Sequence, residues 1–333
     1  MIQDLIYQHH RERVASQDER AYLGWSAIGD TCDRALWYSF RKADKKDVEG
    51  RIARLFDTGH REEDRLLNEL RAVGCKVESH DQKTGKQFGV SSHGGHFRGH
   101  LDAMVTGLPE FPKMRVLVDV KTINVKKYAA LLKDGFKNTF PKYWAQGMGY
   151  MGHMKLEKAL FLFVVKNDDT IHPEWFDFDQ SEFDKYEKRA ERIIFSPRPP
   201  QGISTDPSWF SCKFCNAYAL CHEDKITKNV SCRTCAHSTP EQDGTWSCAH
   251  WEMTIPDLDA QLAGCDNHVL HPDLVPPTWD YEPAETGVIW LTPHGRIHNA
   301  PEGYLSSEIV ANSKACAEGL REPYEQFGAR VVG

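Results

Sequence analysis

The tripeptide Asp119-Val120-Lys121 places an acid and a base inside an otherwise apolar segment, RVLVDVKTI. The β-branched residues of this segment are typical of a strand that is buried on both faces. Side chains two residues apart point to the same face of a strand, so Asp119 and Lys121 are expected side by side. Charged groups are costly to bury unless they are paired or bind a metal ion. The pattern therefore indicates either a salt bridge at a strand end or a chemically active pair.

Two further carboxylates could reach the same end of the sheet. Asp102 lies in the strand-like segment GHLDAM, and Glu63 lies in a predicted helix over residues 59–73, on the face marked by three leucines. Carboxylate oxygens are the ligands that Mg²⁺ and Mn²⁺ prefer. Such ions lower the pKa of a water and stabilise the leaving oxygen in phosphodiester hydrolysis, and a nearby lysine can orient that water. The set predicts metal-dependent cleavage of a phosphodiester.

The order and spacing of these residues resemble the PD-(D/E)xK nuclease superfamily, in its RecB-like exonuclease branch. The resemblance covers roughly residues 20–225 and rests on four motifs, Gly59-x-x-x-Glu63, Asp102 in GHLDA, Asp119-Val120-Lys121 and Gln146-x-x-x-Tyr150. Members often have His where this chain has Glu63. His60 and Glu62 are the neighbouring alternatives for that ligand.

This resemblance implies a restriction-endonuclease-like α/β fold, with a mixed sheet flanked by helices. The Mg²⁺ or Mn²⁺ ligands that it implies are Glu63, Asp102, Asp119 and the carbonyl group of Val120. Lys121 would serve the attacking water. Gln146 and Tyr150, four residues apart and so on one helix face, would hold the lysine or the nucleic-acid backbone. Without the family, these two residues are more simply a polar edge on a packed helix.

Ten cysteines are too few for a disulfide scaffold in 333 residues, and most of them are clustered. Three form Cys212-x2-Cys215-x5-Cys221, and Cys32 stands far upstream. Iron–sulfur members of the RecB-like branch, which include AddB-type nuclease domains and CRISPR-associated RecB-like exonucleases, have a similar layout. The resemblance implies that these four cysteines bind a [4Fe–4S] cluster, which would tie the segment after the nuclease core to the N-terminal helices. A structural zinc is the alternative.

A second group, Cys232-x2-Cys235-x12-Cys248-x16-Cys265, has the spacing of a small zinc-binding module. The segment has few apolar residues, so Zn²⁺ would supply folding free energy. The residues that could each replace one cysteine as ligand are His237, His250 and His268. The module would grip nucleic acid or a partner, or act as a structural cap. Cys75 and Cys316 are isolated and read as small buried hydrophobes.

A cluster of prolines near residue 197 indicates the main domain boundary. The predicted organisation is a helical region carrying Cys32 at 1–57, the nuclease core at 58–196, an iron–sulfur closing segment at 197–227, a zinc-binding-like module at 228–277 and a C-terminal region of unknown role at 278–333. In the last region, residues 288–291 predict a strand and residues 306–318 predict a helix.

The net charge of −7, from 41 basic and 48 acidic residues, excludes a protein coated with basic surface. A nucleic-acid site would have to be a local groove. The lysines that could line it are Lys126, Lys127, Lys133, Lys137 and Lys142, near Tyr143 and Trp144, although a solvated helix face explains them equally well. No run approaches the ~20 apolar residues of a membrane span. The N-terminus has no signal-peptide core, so the expected location is the cytoplasm of a bacterial or phage-infected cell.

The expected function is a metal-dependent exonuclease that acts on DNA, on single-stranded or frayed ends, in recombination, repair or phage DNA metabolism. A helicase, recombinase or single-strand-binding protein is a compatible partner. The alternatives are an end-capturing or nucleic-acid-binding subunit of a CRISPR-adaptation-like assembly, an RNA or DNA endonuclease, and a redox-sensing iron–sulfur protein with a relic nuclease fold. The complete set of Asp102, Asp119 and Lys121 favours the enzyme over the relic.

Overall fold

The computed structural model describes residues 1–17, 20–43 and 48–312. It divides the chain into two compact units. Unit 1 comprises Met1–Asp30 and Asp47–Glu191, and unit 2 comprises Thr31–Lys46 and Arg192–Gly333. The short segment that carries Cys32 therefore belongs to the same unit as the two later cysteine groups. Among the described residues, no helix has the length and apolar character needed to cross a membrane.

Helices and strands are numbered along the whole chain. The helices are α1 (Ile2–Ala15), α2 (Trp25–Ile28), α3 (Asp33–Phe40), α4 (Gly50–Ala72), α5 (Val125–Asp134), α6 (Phe136–Thr139), α7 (Pro141–Met154), α8 (Gln180–Ile194), α9 (Phe210–Lys213), α10 (Tyr218–His222), α11 (Leu258–Ala263) and α12 (Ser306–Ala311). The strands are β1 (Leu23–Gly24), β2 (Lys76–Glu78), β3 (Gly89–Ser92), β4 (Phe97–His100), β5 (Ala103–Thr106), β6 (Val116–Ile123), β7 (Lys158–Val165), β8 (Thr170–Asp177), β9 (Ser238–Pro240), β10 (Trp246–Cys248), β11 (Met253–Ile255), β12 (Asp280–Pro283), β13 (Val288–Thr292) and β14 (Gly295–Asn299).

The main sheet of unit 1 is mixed, with strand order β2-β5-β6-β7-β8. β6 and β7 are parallel, and the other neighbours are antiparallel. A parallel pair needs a crossover connection, which α5, α6 and α7 provide. Pairing between β5 and β6 ends at Ala103 and Val118, whereas pairing between β6 and β7 continues to Ile123. The second half of β6, which carries Asp119 and Lys121, therefore extends beyond β5.

Helices cover both faces of this sheet because β6 and β7 carry apolar side chains on both sides. One face packs against α4 through a cluster of buried side chains, Leu66, Leu67, Cys75, Ala103, Val105, Leu108, Val116, Val118, Val120, Leu160, Leu162 and Val164. On the other face, α7 approaches β7 so closely that a Cβ on Gly147 would lie 3.1 Å from the Phe161 ring. Asp119 is paired in register with Phe161, so it belongs to the face that α7 covers.

Most of the predicted elements of unit 1 are present, with two differences. The predicted helix over 59–73 is the second half of α4, which begins at Gly50 and ends before Gly74, a residue with φ of +96°. The strand-like stretch around Asp102 is two strands in two different sheets, because β4 pairs with β1 and β3 while β5 joins the main sheet. Asp102 lies in the short connection between them.

The described residues of unit 2 form two three-stranded sheets, of order β11-β10-β9 and β12-β13-β14, and several short helices. The predicted strand at 288–291 is β13, and Trp290 on it is buried in a small core with Leu270 and Ile297. The helix predicted over 306–318 is observed as α12 at Ser306–Ala311. The rest of that prediction, with Cys316, lies outside the described residues.

A carboxylate on α8 joins three parts of unit 1. Glu187 accepts a hydrogen bond from the Ser92 hydroxyl at 2.9 Å and contacts the Nε2 atoms of His93 and His153 at 2.8 and 2.7 Å. Burial alone would raise the pKa of Glu187, but the hydrogen bonds from His153, His93 and Ser92 outweigh it and lower the pKa from 4.5 to about 2. The ionised form of Glu187 therefore stabilises the contact of α8 with α7 and with the end of β3.

Glu187→Gln should lower the free energy of unfolding at pH 5 by about 3 kcal/mol, because the pKa of Glu187 is lowered from 4.5 to about 2 and each pKa unit corresponds to about 1.4 kcal/mol. A carboxyl group whose pKa is lower in the folded protein than in the unfolded chain stabilises the fold at pH values above its unfolded pKa. This contribution is lost as the pH falls through the pKa of the folded state. The difference between wild type and variant should therefore shrink between about pH 4.5 and pH 2, as measured by denaturant titration. Glu157→Gln, at an exposed position of the same unit, is the control. A difference that stays constant down to pH 2.5 would contradict this assignment.

Candidate active site

Asp119 lies near the middle of β6 and its side chain is fully buried, with 0% exposed. Its Oδ1 is in ion-pair contact with the ammonium group of Lys121, which lies two residues further along the same face of the strand. Its Oδ2 has no hydrogen-bond partner among the described residues. A buried polar atom without a partner costs about 1–3 kcal/mol, and more when it is charged. The position therefore calls for a proton or a second cation.

Asp102 meets β6 at the point where β5 stops pairing with it. Its Oδ2 accepts a hydrogen bond from the backbone N–H of Val120 at 3.0 Å. The Asp102 carboxylate thus accepts the hydrogen bond that a backbone carbonyl group of β5 would accept if β5 continued alongside β6. The same oxygen lies 4.0 Å from the Nζ atom of Lys121, and the side chain is 12% exposed. Asp102, Asp119 and Lys121 thus lie together at the end of β5.

Glu63 approaches this group from α4 and is half-buried. Burial and the neighbouring Asp102 carboxylate raise the pKa of Glu63 to about 7, and Lys121 opposes them. The neighbouring alternatives differ in their surroundings. His60 is exposed, and Glu62 forms an ion pair with Arg65 at 3.4 Å. Of His60, Glu62 and Glu63, it is Glu63 that the structure brings into electrostatic contact with Asp102 and Lys121.

The charges of this group balance only if a carboxylate is protonated or a further cation is bound. Burial, followed by Asp102, raises the pKa of Asp119 to about 7, although Lys121 opposes both. Burial would lower the pKa of Lys121, but Asp119 and Asp102 outweigh it, so the lysine remains protonated. Three carboxylates therefore share one ammonium group in a site with little access to water. A divalent cation favours the ionised form of every carboxylate beside it and would relieve this repulsion.

Gln146 and Tyr150 lie on α7, both buried, and the Gln146 amide donates a hydrogen bond to the Tyr150 hydroxyl at 3.1 Å. Burial raises the pKa of Tyr150, so the hydroxyl stays protonated and keeps a proton to donate. The charges of Asp119, Lys121 and Asp102 all act on this hydroxyl. The pair is therefore adjacent to the acidic group, as well as being part of the packed face of α7.

Gly99 also belongs to the site, although its motif gave no reason to expect it there. A Cβ at this residue would lie 2.5 Å from Cε1 and 2.8 Å from the hydroxyl oxygen of Tyr150. Only glycine lets the tyrosine lie against β4 at this depth. The available signal was a glycine inside a strand-like segment, which often marks a close approach of another group.

The two aromatic residues at the start of α7 have different surroundings. The Tyr143 ring lies over Lys121, with its centroid 5.2 Å from Nζ. Trp144 packs against Phe176 and donates a hydrogen bond to Glu182 at 3.1 Å. Tyr143 is therefore part of the site's surroundings, whereas Trp144 belongs to the packing of α7 against β8 and α8.

In the described ranges, no three or more His, Cys, Asp or Glu side chains form a group that could hold a metal ion as they stand. In the acidic site, the ammonium group of Lys121 is held against Asp119. A cation that bound there would compete with Lys121 for the same carboxylate.

The first cysteine group lies within unit 2. Cys32 precedes the first residue of α3, Cys212 lies on α9 and Cys221 on α10. Burial raises the pKa of the Cys221 thiol; Arg34 opposes this and Cys32 adds to it. Burial and Cys32 likewise raise the pKa of Cys212. Cys32 therefore acts electrostatically on both Cys212 and Cys221. Cys215 lies one turn after Cys212, and its amide bonds to the carbonyl of that residue.

No family model matches the chain, and no curated protein sequence matches it. Several solved structures are similar in part. The chain is 15% identical to the protein SSO0001, with a TM-score of 0.41 over 66% of this chain and 96% of that one. It is 14% identical to the alkaline exonuclease LHK-Exo from Laribacter hongkongensis, with a TM-score of 0.35 over 52% and 86% of the two chains. A phage-related exonuclease from Haemophilus somnus 129PT is also 14% identical, with a TM-score of 0.30 over 41% and 68%.

Proposed function

We propose that unit 1 is a metal-dependent nuclease that hydrolyses phosphodiester bonds of DNA. The observation that carries this proposal is the fully buried Asp119, which has one oxygen on Lys121 and the other without a partner among the described residues. Asp102 and Glu63 add carboxylates to it. A purely structural salt bridge would need one carboxylate for one lysine. The additional carboxylates of Asp102 and Glu63 make the fold less stable unless a cation is bound.

The residues that would hold Mg²⁺ or Mn²⁺ are Glu63, Asp102, Asp119 and the carbonyl group of Val120. These are hard oxygen donors, and the excess of negative charge fits a divalent ion. The bound ion would supply a water of lowered pKa and charge neutralisation at the phosphate. The chain itself supplies the ligand positions, because the N–H of Val120 fixes Asp102 and the core beneath β6 fixes Asp119.

Lys121 and Tyr150 are the proton-bearing groups of this site. The ammonium of Lys121 would orient the attacking water or neutralise charge that develops on the phosphate, a role that requires it to stay protonated. Tyr150 is held by Gln146. Its hydroxyl group would donate a hydrogen bond to an acceptor beside Lys121 or to the nucleic-acid backbone. Both groups lie where little water reaches, which strengthens such interactions.

Asp119→Asn and Lys121→Met should each reduce cleavage of labelled DNA in Mg²⁺ or Mn²⁺ by at least about 100-fold, the usual effect of losing one such group. Their ion binding should differ. Asp119→Asn should weaken Mn²⁺ binding measured by calorimetry, whereas Lys121→Met should preserve or tighten it, because the competing ammonium is gone. Asp184→Ala and Lys188→Ala, at exposed positions of α8, are the matched controls. Full cleavage by either site variant would refute the assignment of the residues.

We further propose that the enzyme is an exonuclease acting at DNA ends, which the resemblance to the RecB-like branch supports. It should degrade linear single-stranded DNA and leave a closed circle of the same sequence intact, as followed over time on gels. Because phosphate contacts dominate such binding, the rate should fall steeply with salt. Equal degradation of both substrates would replace the exonuclease with an endonuclease. Binding of ends without cleavage of either substrate would favour an end-capturing subunit.

For unit 2, we propose that Cys32, Cys212, Cys215 and Cys221 bind a [4Fe–4S] cluster. Four thiolates suit such a cluster, and the electrostatic effect of Cys32 on both Cys212 and Cys221 supports their convergence. Arg34 and Tyr38 on α3 both interact with Cys221, and Arg34 also donates to the carbonyl of Pro200 at 2.9 Å. The cluster would hold the segment after Pro200 against α3.

Protein purified without oxygen should be brown and contain about four irons per chain, because a cubane cluster has that stoichiometry. Cys32→Ala should remove the brown colour and lower the melting temperature. Cys75→Ala, which changes a buried thiol of unit 1, should keep the colour. A colourless protein with zinc in place of iron would show that this site is a structural zinc site.

A further inference from the structure

The second cysteine group of unit 2 begins in a tight turn. Cys232–Thr234 form a single 3₁₀ turn, in which the amide of Cys235 bonds to the carbonyl of Cys232. The amide of His237 donates to the Cys235 sulfur at 3.5 Å. A backbone N–H directed at the sulfur stabilises a thiolate over a thiol. Two cysteines held in such a turn form half of a tetrahedral zinc site.

The other two cysteines come back to this turn along separate elements. Cys248 lies on β10, opposite Ser238 of β9, which follows the turn after three residues. Cys265 follows Gly264, whose φ is +70° and where a Cβ would lie 3.2 Å from the Cα atom of Ser231. This glycine lets the chain pass directly beside Ser231 and Cys232. All four cysteines therefore belong to one small region.

A contact of the Cys232 thiol supports the same placement. Its sulfur donates to the carbonyl of Ala260 at 3.7 Å, on α11, the helix that leads to Cys265. As they stand in the described residues, no three of these side chains form a group that could hold a metal ion. Binding of an ion would therefore have to draw the four thiols together.

The histidines of the segment are less suited to be ligands. The Nε2 atom of His268 lies 3.2 Å from the hydroxyl of Thr234, inside the base of the turn. His237 and His250 lie against each other, with ring centroids 5.4 Å apart. Burial lowers the pKa of His237, as does His250. The cysteines account for four ligands without them.

A stack of alternating arginine and aromatic side chains joins this region to α3. The Arg41 guanidinium lies 4.9 Å from the Trp37 ring and 5.5 Å from the Trp246 ring, and that of Arg233 lies 4.7 Å from Trp246 and 5.5 Å from Phe40. All five side chains are almost fully buried. Cation–π contacts are strongest when both partners are removed from water, as they are here. Arg233 belongs to the cysteine turn, and Trp246 lies two residues before Cys248.

Hydrogen bonds fix the same junction in both directions. Arg233 donates to the carbonyl of Phe40, the last residue of α3, at 2.9 Å. Arg41 donates to the carbonyls of Arg233 and Ser238 at 3.3 and 3.5 Å. The carbonyls at the end of a helix need such donors. The end of α3 is therefore held by donors and acceptors from the cysteine turn and the strand that follows it.

We infer that Cys232, Cys235, Cys248 and Cys265 bind one Zn²⁺, and that this ion, by fixing the turn that carries Arg233, holds the C-terminal end of α3 in place. A zinc ion with four thiolates would carry two net negative charges, and the two buried arginines of this junction, Arg41 and Arg233, would offset them. The site acts at the opposite end of α3 from Cys32. The zinc site is independent of any metal that Cys32 would bind.

The test uses the full-length chain and Zn²⁺ itself. Metal analysis should show that Cys265→Ser and Cys248→Ser each lose about one zinc per chain, that Cys265→His retains it because imidazole is also a zinc ligand, and that Cys75→Ser is unaffected. Unchanged zinc content in both serine variants would overturn the site. The histidine variant distinguishes loss of a ligand from loss of folding.

Hydrogen–deuterium exchange tests the second part. In Cys265→Ser, the peptide covering α3 should exchange at least about tenfold faster than in wild type, while peptides from β6 and β7 of unit 1 stay protected. Cys265→His and Cys75→Ser should match wild type in the α3 peptide. If zinc is lost and α3 exchanges as before, the ion does not hold that helix and the coupling is wrong.

Discussion

The burial of Asp119 in the middle of β6 is the constraint around which unit 1 is organised. A carboxylate with no exposed surface is tolerated only if positive charge lies beside it, and Lys121 on the same strand face provides one such charge. The strand must then extend beyond β5, so that Asp102 rather than another strand meets the N–H of Val120. Parallel pairing with β7 holds this extension in place, and the crossover through α7 covers it with Gln146 and Tyr150. The positions of Asp102 and Lys121, and the cover that α7 provides, follow from this one strand.

The sequence allowed much of this to be predicted because the signals were local. The apolar run around Asp119 predicted β6, and the spacing of Gln146 and Tyr150 predicted one helix face, on which the two residues are hydrogen-bonded. The elements that were not foreseen depend on long-range pairing. Nothing local in GHLDAM shows that β4 and β5 enter different sheets, or that Asp102 lies between them. The contact of Gly99 with Tyr150 is likewise visible only once β4 and α7 are packed together.

Unit 2 illustrates how a region with little apolar core can still adopt one defined structure. The strands β9, β10 and β11 have three residues each, and Trp246 is the large apolar side chain that they bury. Hairpins this short are marginal in water without further support. Here that support comes from Arg41 and Arg233, which combine aromatic contacts with hydrogen bonds to main-chain carbonyls. Such contacts are directional, so they fix the register of the hairpin where general burial would not.

The helix α3 explains why a segment from the N-terminal part of the sequence belongs to unit 2. Its first turn follows Cys32, and Arg34 and Tyr38 interact with Cys221 of the first cysteine group. Its last residues, Phe40 and Arg41, contact the second group. A helix of eight residues is too short to be stable alone, so its conformation depends on partners at both ends. The two cysteine groups thus interact with opposite ends of the same short helix, and a change in one group should affect the other through α3.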